Sequence, residues 1–312
     1  METATEFARQ VRKNLQEHYG SGYTISTQEA VKNNGIPVTG IAIRKGEENM
    51  VPVMYLDGYF VDYQGGRKLD GILKEIRMRY EERHLEKELD MDMVMDGKQA
   101  LGKVCFKLIH RQENSRLLET VPHREYLDLA IIYDTGFDIC GKEGASIVIT
   151  NRLMKEWGVG EETLYKHAAR NTPLLLKSTI TTIAQKIKES LQLIGDMEME
   201  EEFDSVDAMI MEEQGVGEPP MYVVSNASGI FGASVMIYEG VLKAFSEKIG
   251  GDFYILPSSL HEVLFVSLQG VDEEELARMV REVNETQVAP EEVLSNHVYR
   301  YFADKECVEI VA

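Results

Sequence analysis

Apolar positions recur at helical spacing in the first twenty residues, where Ala4, Phe7, Ala8, Val11 and Leu15 follow a Thr3–Glu6 capping box and Gly20 is a suitable stop. The pattern then changes to that of strands. Tyr23 to Val31, Ile36 to Arg44 and Val51 to Leu56, separated by Asn33-Asn34-Gly35 and by a turn near Gly46, predict a three-stranded meander. Asn and Gly tolerate positive φ, so the Asn33 turn reads as structural. A long helix is expected from about Arg67 to Leu89, with Leu69, Ile72, Leu73, Ile76 and Tyr80 on one face.

Further on, the apolar runs VCFKLIH, YLDLAIIY and ASIVIT between Val104 and Thr150 predict three strands of one sheet. Two helices follow, one from Glu161 to Arg170 and one from Ser178 to Ile194, with Pro173 enforcing the break and Asn171-Thr172-Pro173 forming a helix exit. Residues 196–220 then change character, with acids, scattered Met, and Gly215, Gly217, Pro219 and Pro220, as in a linker or arm. Beyond it lie strands at MYVVSN and ASVMIY, a helix from Gly240 to Ile249, strands at DFYILP and EVLFVSL, and a helix from Asp272 to Glu285 capped by Asp272. A helical turn at Pro290 to Leu294 and strands at HVYRYF and CVEIV complete the chain. The expected fold class is α+β in two lobes, each a mainly antiparallel sheet packed with helices. Residues 1–195 form the first lobe, 196–220 an acidic linker and 221–312 the second.

Composition supports that division, since 312 residues with 44% hydrophobic and 28% charged positions are enough for two cores and fall in the globular range. No stretch approaches the ~18 apolar residues of a spanning helix, and METATEFARQVRKNLQEHYG lacks the apolar centre of a signal peptide, so a cytoplasmic protein without membrane association is expected. The net charge of −20 disfavours direct binding of nucleic acid. From Glu189 to Glu239 the chain has no Lys or Arg, which makes the acidity largely local.

Cys105, Cys140 and Cys307 are odd in number and far apart, which argues against disulfides and a zinc knuckle. His18, His84, His110, His123, His167, His261 and His297 include no i, i+4 pair, and Phe265 stands where a zincin motif beginning at His261-Glu262 needs its second histidine. No metal or cofactor is therefore expected. GxxxxGK[ST], GxGxxG and GxSxG are all missing, and Gly215-Val216-Gly217 runs into prolines instead of a helix.

Several phrases resemble a known family: Lys32-Asn33-Asn34-Gly35, Lys107-Leu108-Ile109, Asp128-Leu129-Ala130, Asn171-Thr172-Pro173, Pro257 to Glu262, and Val283 to Glu292. Together they are similar to an uncharacterised family, a domain of unknown function, in intestinal Clostridia and relatives. The resemblance implies a bacterial cytoplasmic protein sometimes linked with mobile genetic elements, and carries no activity, cofactor or catalytic residue.

The least ordinary segment is Pro257 to Glu262, which places Ser258, Ser259, His261 and Glu262 between two apolar strands, at a strand end where sites tend to sit. The competing reading makes the serines caps for turn amides and His261 a hydrogen-bonded core residue. These four are the candidate binding residues; no catalytic residue is assigned. The expected function is a non-enzymatic binding or interaction protein whose partner is an unidentified protein or small molecule. One alternative is an enzyme of unrecognised type using Ser258 to Glu262. A weaker one is an acidic mimic of nucleic acid that occupies a DNA-binding protein.

Overall fold

The first helix, α1 (Ala4–Tyr19), begins at the expected capping box: Thr3 Oγ1 accepts from the Glu6 amide and Glu6 returns a carboxylate to the Thr3 amide. The computed structural model describes residues 3–46, 51, 53–85, 94–136, 146–186, 221–257 and 259–312. Contacts divide the chain into two units, Met1–Asp90 and Met91–Ala312.

In the first unit, β1 (Tyr23–Val31), β2 (Pro37–Lys45) and β3 (Val53–Tyr55) form the expected meander in that order, all antiparallel. Phe7, Val11 and Leu15 of α1 pack with Ile25, Ile41 and Ile43 of the sheet and with Ile72 and Ile76 of α3 (Leu69–Leu85). A short helix that the pattern does not reveal, α2 (Asp57–Gln64), lies between β3 and α3. Its sequence DGYFVDYQ has no apolar stripe, but Asp57 Oδ2 accepts from the Thr39 amide at 3.1 Å and ties its start to β2.

The second unit begins with α4 (Gly97–Leu101) and β4 (Val104–His110). The run YLDLAIIY is a hairpin, not one strand: β5 (His123–Tyr126) turns at Leu127, φ 57°, into β6 (Leu129–Gly136). A short α5 (Ser115–Leu118) lies before that hairpin, and β7 (Ser146–Val148) and α6 (Asn151–Glu156) follow it. Strand β6 pairs with β4, β5 and β7 in one antiparallel sheet. Helix α7 (Glu161–Leu175) runs past the expected stop and contains Pro173 in its last turn, where the ring removes one i→i−4 hydrogen bond close to the helix end.

The helix expected from Ser178 instead opens as β8 (Ser178–Thr182), which pairs Ile180 with Val224 of β9 (Met221–Asn226). Its Ser-Thr-Ile-Thr-Thr run is β-branched and suits an extended edge. Helix resumes at 183–186, and residues 187–194 lie outside the described residues.

ASVMIY, expected as a strand, is largely a 3-10 helix, Gly232–Ile237, buried from Gly232 to Met236. A short run apolar on every side carries no period that separates the two forms. After α8 (Val241–Ile249) come β10 (Phe253–Leu256), β11 (Val263–Ser267), α9 (Glu273–Thr286), β12 (Tyr299–Phe302) and β13 (Cys307–Ile310). The resulting antiparallel sheet has the order β13-β12-β10-β11-β9-β8. Residues 290–294 form turns without a helix.

The fold is α+β, with antiparallel sheets and helices. Its units do not follow the expected division. Val104, Phe106, Ile131, Tyr133 and Leu164 share one buried cluster with Val224, Val235, Phe265, Leu294 and Tyr299, and the expected linker at 196–220 is outside the described residues. Residues 1–90 carry 13 Lys or Arg and 15 Asp or Glu, so nearly all the excess negative charge belongs to residues 91–312.

Candidate functional site

The connection from β10 to β11 is a hydrogen-bonded turn. Ser259 donates its amide to the Glu262 carbonyl at 3.1 Å, and the His261 amide donates to Ser259 Oγ at 3.0 Å. Leu260, buried between them, receives Ala233 N–H on its carbonyl and donates its amide to the Glu292 carbonyl at 2.9 Å. The turn therefore continues through Glu262. Strand β11 starts at Val263, and His261 and Glu262 are half-buried on the rim, as the alternation after His261 allows.

The structure brings Ser259 and His261 together but gives Glu262 a different part: its carbonyl closes the turn, while the carboxylate facing the imidazole comes from Glu292, 3.5 Å from His261 Nε2. Ser258 lies outside the described residues.

Four further residues define the site. The Phe231 amide donates to His261 Nδ1 at 3.2 Å, which leaves the ring proton on Nε2, and the two rings stack with centroids 5.9 Å apart and planes at 22°. On Phe231 also sits Lys107 Nζ, 4.3 Å from the ring centroid. That ammonium pairs with Asp134 at 2.7 Å, and the side chains of Lys107 and Asp134 are only 12% and 7% exposed. Ser146 Oγ donates to the same Asp134 oxygen, while Asp134 Oδ1 is buried without a partner among the described residues. A buried pair of this kind is held in place by its geometry, and removing either partner strands the other charge at a cost of about 3–5 kcal/mol.

Phe231 has φ 52° and ψ 31°, a left-handed conformation that glycine adopts without cost and an aromatic residue does not. The loop before it enforces this. Asn226 Oδ1 accepts from the amide and hydroxyl of Ser228, its Nδ2 donates to the Ile230 carbonyl, and Ser234 Oγ donates to the Phe231 carbonyl at 2.7 Å. Phe231→Gly should consequently be more stable than Phe231→Ala by about 1 kcal/mol, since both lose the ring but only alanine keeps the strain. Urea unfolding of the two variants checks this, and equal stability would show that the conformation is unstrained.

Chemically, the imidazole is committed: Nδ1 to a backbone amide, Nε2–H toward a carboxylate. Ser259 Oγ serves a backbone amide too. The rim can present an N–H donor, an aromatic edge and two carboxylates, but its serine and histidine are not arranged as nucleophile and base.

Among the described residues no group of three or more His, Cys, Asp or Glu is placed to hold a metal ion. Cys105 is buried, Cys307 is partly buried, and Cys140 is outside the described residues. Among the described residues no helix is long and apolar enough to cross a membrane.

Phe231 and Asp134 had no local signature, and Lys107 and Glu292 stood out only as members of the phrases that carry the family resemblance. The four come from sequence positions up to 185 residues apart, and only Gly229 and Gly232 around Phe231 hinted at an unusual backbone.

The fold and this rim define an α+β protein with a strained, charge-backed aromatic at a strand end. A family of unknown function, DUF5688, matches residues 4–303, and the chain belongs to that family. Neither a curated protein nor a solved structure matches the chain.

Proposed function

We propose that the chain is a non-enzymatic binding or interaction protein and that its partner docks on the rim of Phe231, Ser259, His261 and Glu292. The observation that carries this reading is the left-handed Phe231, in contact with both Lys107 and His261 at a partly exposed position. Strain held by a rigid surround is characteristic of functional positions. Glu262 and Glu292 add negative charge in a unit that is already strongly acidic, so the favoured partner is basic: a Lys- or Arg-rich protein segment or a cationic small molecule.

The enzyme alternative is weaker, because the Ser259 hydroxyl and His261 Nδ1 are both used by backbone amides. The nucleic-acid mimic rests on residues 196–220, outside the described ones. The proposal places the protein in the cytoplasm and takes from the sequence resemblance a bacterial host and an occasional link with mobile elements.

Glu262→Gln with Glu292→Gln should cost less than about 1 kcal/mol, as at other surface positions. Tagged wild type and this double variant would be used to retain proteins and small molecules from the native host, with identification by mass spectrometry. A basic partner held by the wild type and released by the folded variant is the expected result. If both retain the same molecules, the rim is not the docking surface.

A further inference from the structure

A second polar cluster lies at the turn from β5 to β6. Asp128, two residues into that turn, receives three side-chain donors from the far end of the chain: Ser295 Oγ at 2.6 Å, Tyr299 Oη at 2.5 Å and His297 Nδ1 at 2.9 Å. Burial pushes the Asp128 carboxyl up, but the hydrogen bonds from Ser295, Tyr299 and His297 outweigh it and hold the group below its usual range. An ionised carboxylate only accepts, so Nδ1 of His297 must carry the ring proton. Its Nε2 is then an unprotonated nitrogen with a lone pair.

Exposure separates the members. The His297 side chain is 48% exposed, while Ser295 is 0% exposed and its hydroxyl is spent on Asp128. Ser295 Oγ lies 3.4 Å from Nδ1, the wrong nitrogen for activation as a nucleophile. Asn296 between them is exposed, and its Oδ1 is held by Asn284 Nδ2 at 2.9 Å. Three consecutive residues are thus fixed from outside their own segment, with a histidine base and a carboxamide at the surface.

The contrast with three other described imidazoles is chemical. Nδ1 of His261 and of His110 each accept a backbone amide, which puts the proton on their outer nitrogen. His123 Nδ1 faces the Val121 carbonyl and shares the tautomer of His297, but a neutral carbonyl supports a developing imidazolium far less than a carboxylate does.

We propose that Asp128 and His297 form a proton-accepting dyad, a general base acting on water during hydrolysis of a carboxylic ester. Nε2 of His297 takes a proton from water as the water oxygen bonds to the carbonyl carbon. The ester C–O bond breaks, and the departing alkoxide takes that proton from Nε2. Asp128 stabilises the imidazolium while it lasts, and the Asn296 amide is the donor available to the carbonyl oxygen. The net charge of −20 repels anions, so an anionic ester is disfavoured. The dyad shares no residue with the docking rim, so hydrolysis here would replace the non-enzymatic part of the reading above and leave the docking role of the rim to its own test.

The full chain would be tested with p-nitrophenyl acetate as the probe, against His297→Gln, Asp128→Asn and the control His18→Gln, an exposed histidine of α1. Wild type and His18→Gln should hydrolyse it at equal rates and His297→Gln about tenfold more slowly, the low end of what a positioned base contributes. Nitrogen chemical shifts should show His297 protonated on Nδ1. If His297→Gln keeps the wild-type rate, or Asp128→Asn folds and keeps it, the proposal is overturned and the cluster is a structural tie. His297→Gln alone decides the matter if Asp128→Asn fails to fold.

Discussion

Gly232→Ala should unfold the second unit or lower its unfolding free energy by about 3 kcal/mol, the upper range for overpacking a site that cannot relax. A Cβ at this position would fall 2.1 Å from Ser225 Oγ, 2.4 Å from the His261 carbonyl oxygen and 2.8 Å from the Asn226 amide nitrogen. The first two are hydrogen-bonded to each other at 2.7 Å, and the third begins the loop that holds Phe231. None can withdraw without breaking the rim. Gly229→Ala in the same loop makes the comparison, since its φ of 69° adds strain but no atom lies within 4 Å of the new Cβ. That change should cost only about 1 kcal/mol. Urea unfolding followed by circular dichroism separates the two, and equal losses would mean that the close approach at Gly232 is unimportant.

The elements legible in the sequence are those whose apolar period is long and one-sided. α1 and α9 begin at the expected caps, Thr3 and Asp272, and the meander appears where alternation and Asn-Gly turns placed it. Short runs apolar on every side were not legible. ASVMIY folds as a 3-10 helix, YLDLAIIY is cut by a turn at Leu127, and the Ser178 run pairs with β9. In each case the deciding interaction is with residues distant in sequence, which a local period does not encode. The same holds for the site: Ser259 and His261 stand out as polar groups between apolar strands, but the aromatic and the ion pair behind them do not.

The phrases that carried the family resemblance fall, in the second unit, on residues that tie distant segments together. Lys107 pairs with Asp134, and Asp128 receives Ser295, His297 and Tyr299. Asn171 donates to the Leu101 and Val104 carbonyls, Thr172 Oγ1 accepts the Phe106 amide, and Asn284 donates to the Ser295 carbonyl. Buried polar groups specify a partner where apolar ones only require burial. Of these ties, those from Asp128 to Ser295, His297 and Tyr299 join residues on the two sides of the 196–220 segment.

The strongest tie gives the most pH-dependent result. Asp128→Ala should destabilise the second unit by about 3 kcal/mol at neutral pH, because the Ser295 and Tyr299 hydroxyls, both on buried residues, lose an ionised acceptor together. The folded carboxyl titrates below its ordinary value, since hydrogen bonds from Ser295, Tyr299 and His297 outweigh the opposing effect of burial. Its contribution is therefore complete above the unfolded pKa of about 3.9 and is lost as pH falls through the lower folded value. The gap between wild type and Asp128→Ala should narrow as the pH falls from about 5 to below about 4. Urea midpoints of the two proteins across that range measure it. A gap that stays constant down to about pH 2 would show that the missing carboxylate acts through packing and not through its charge.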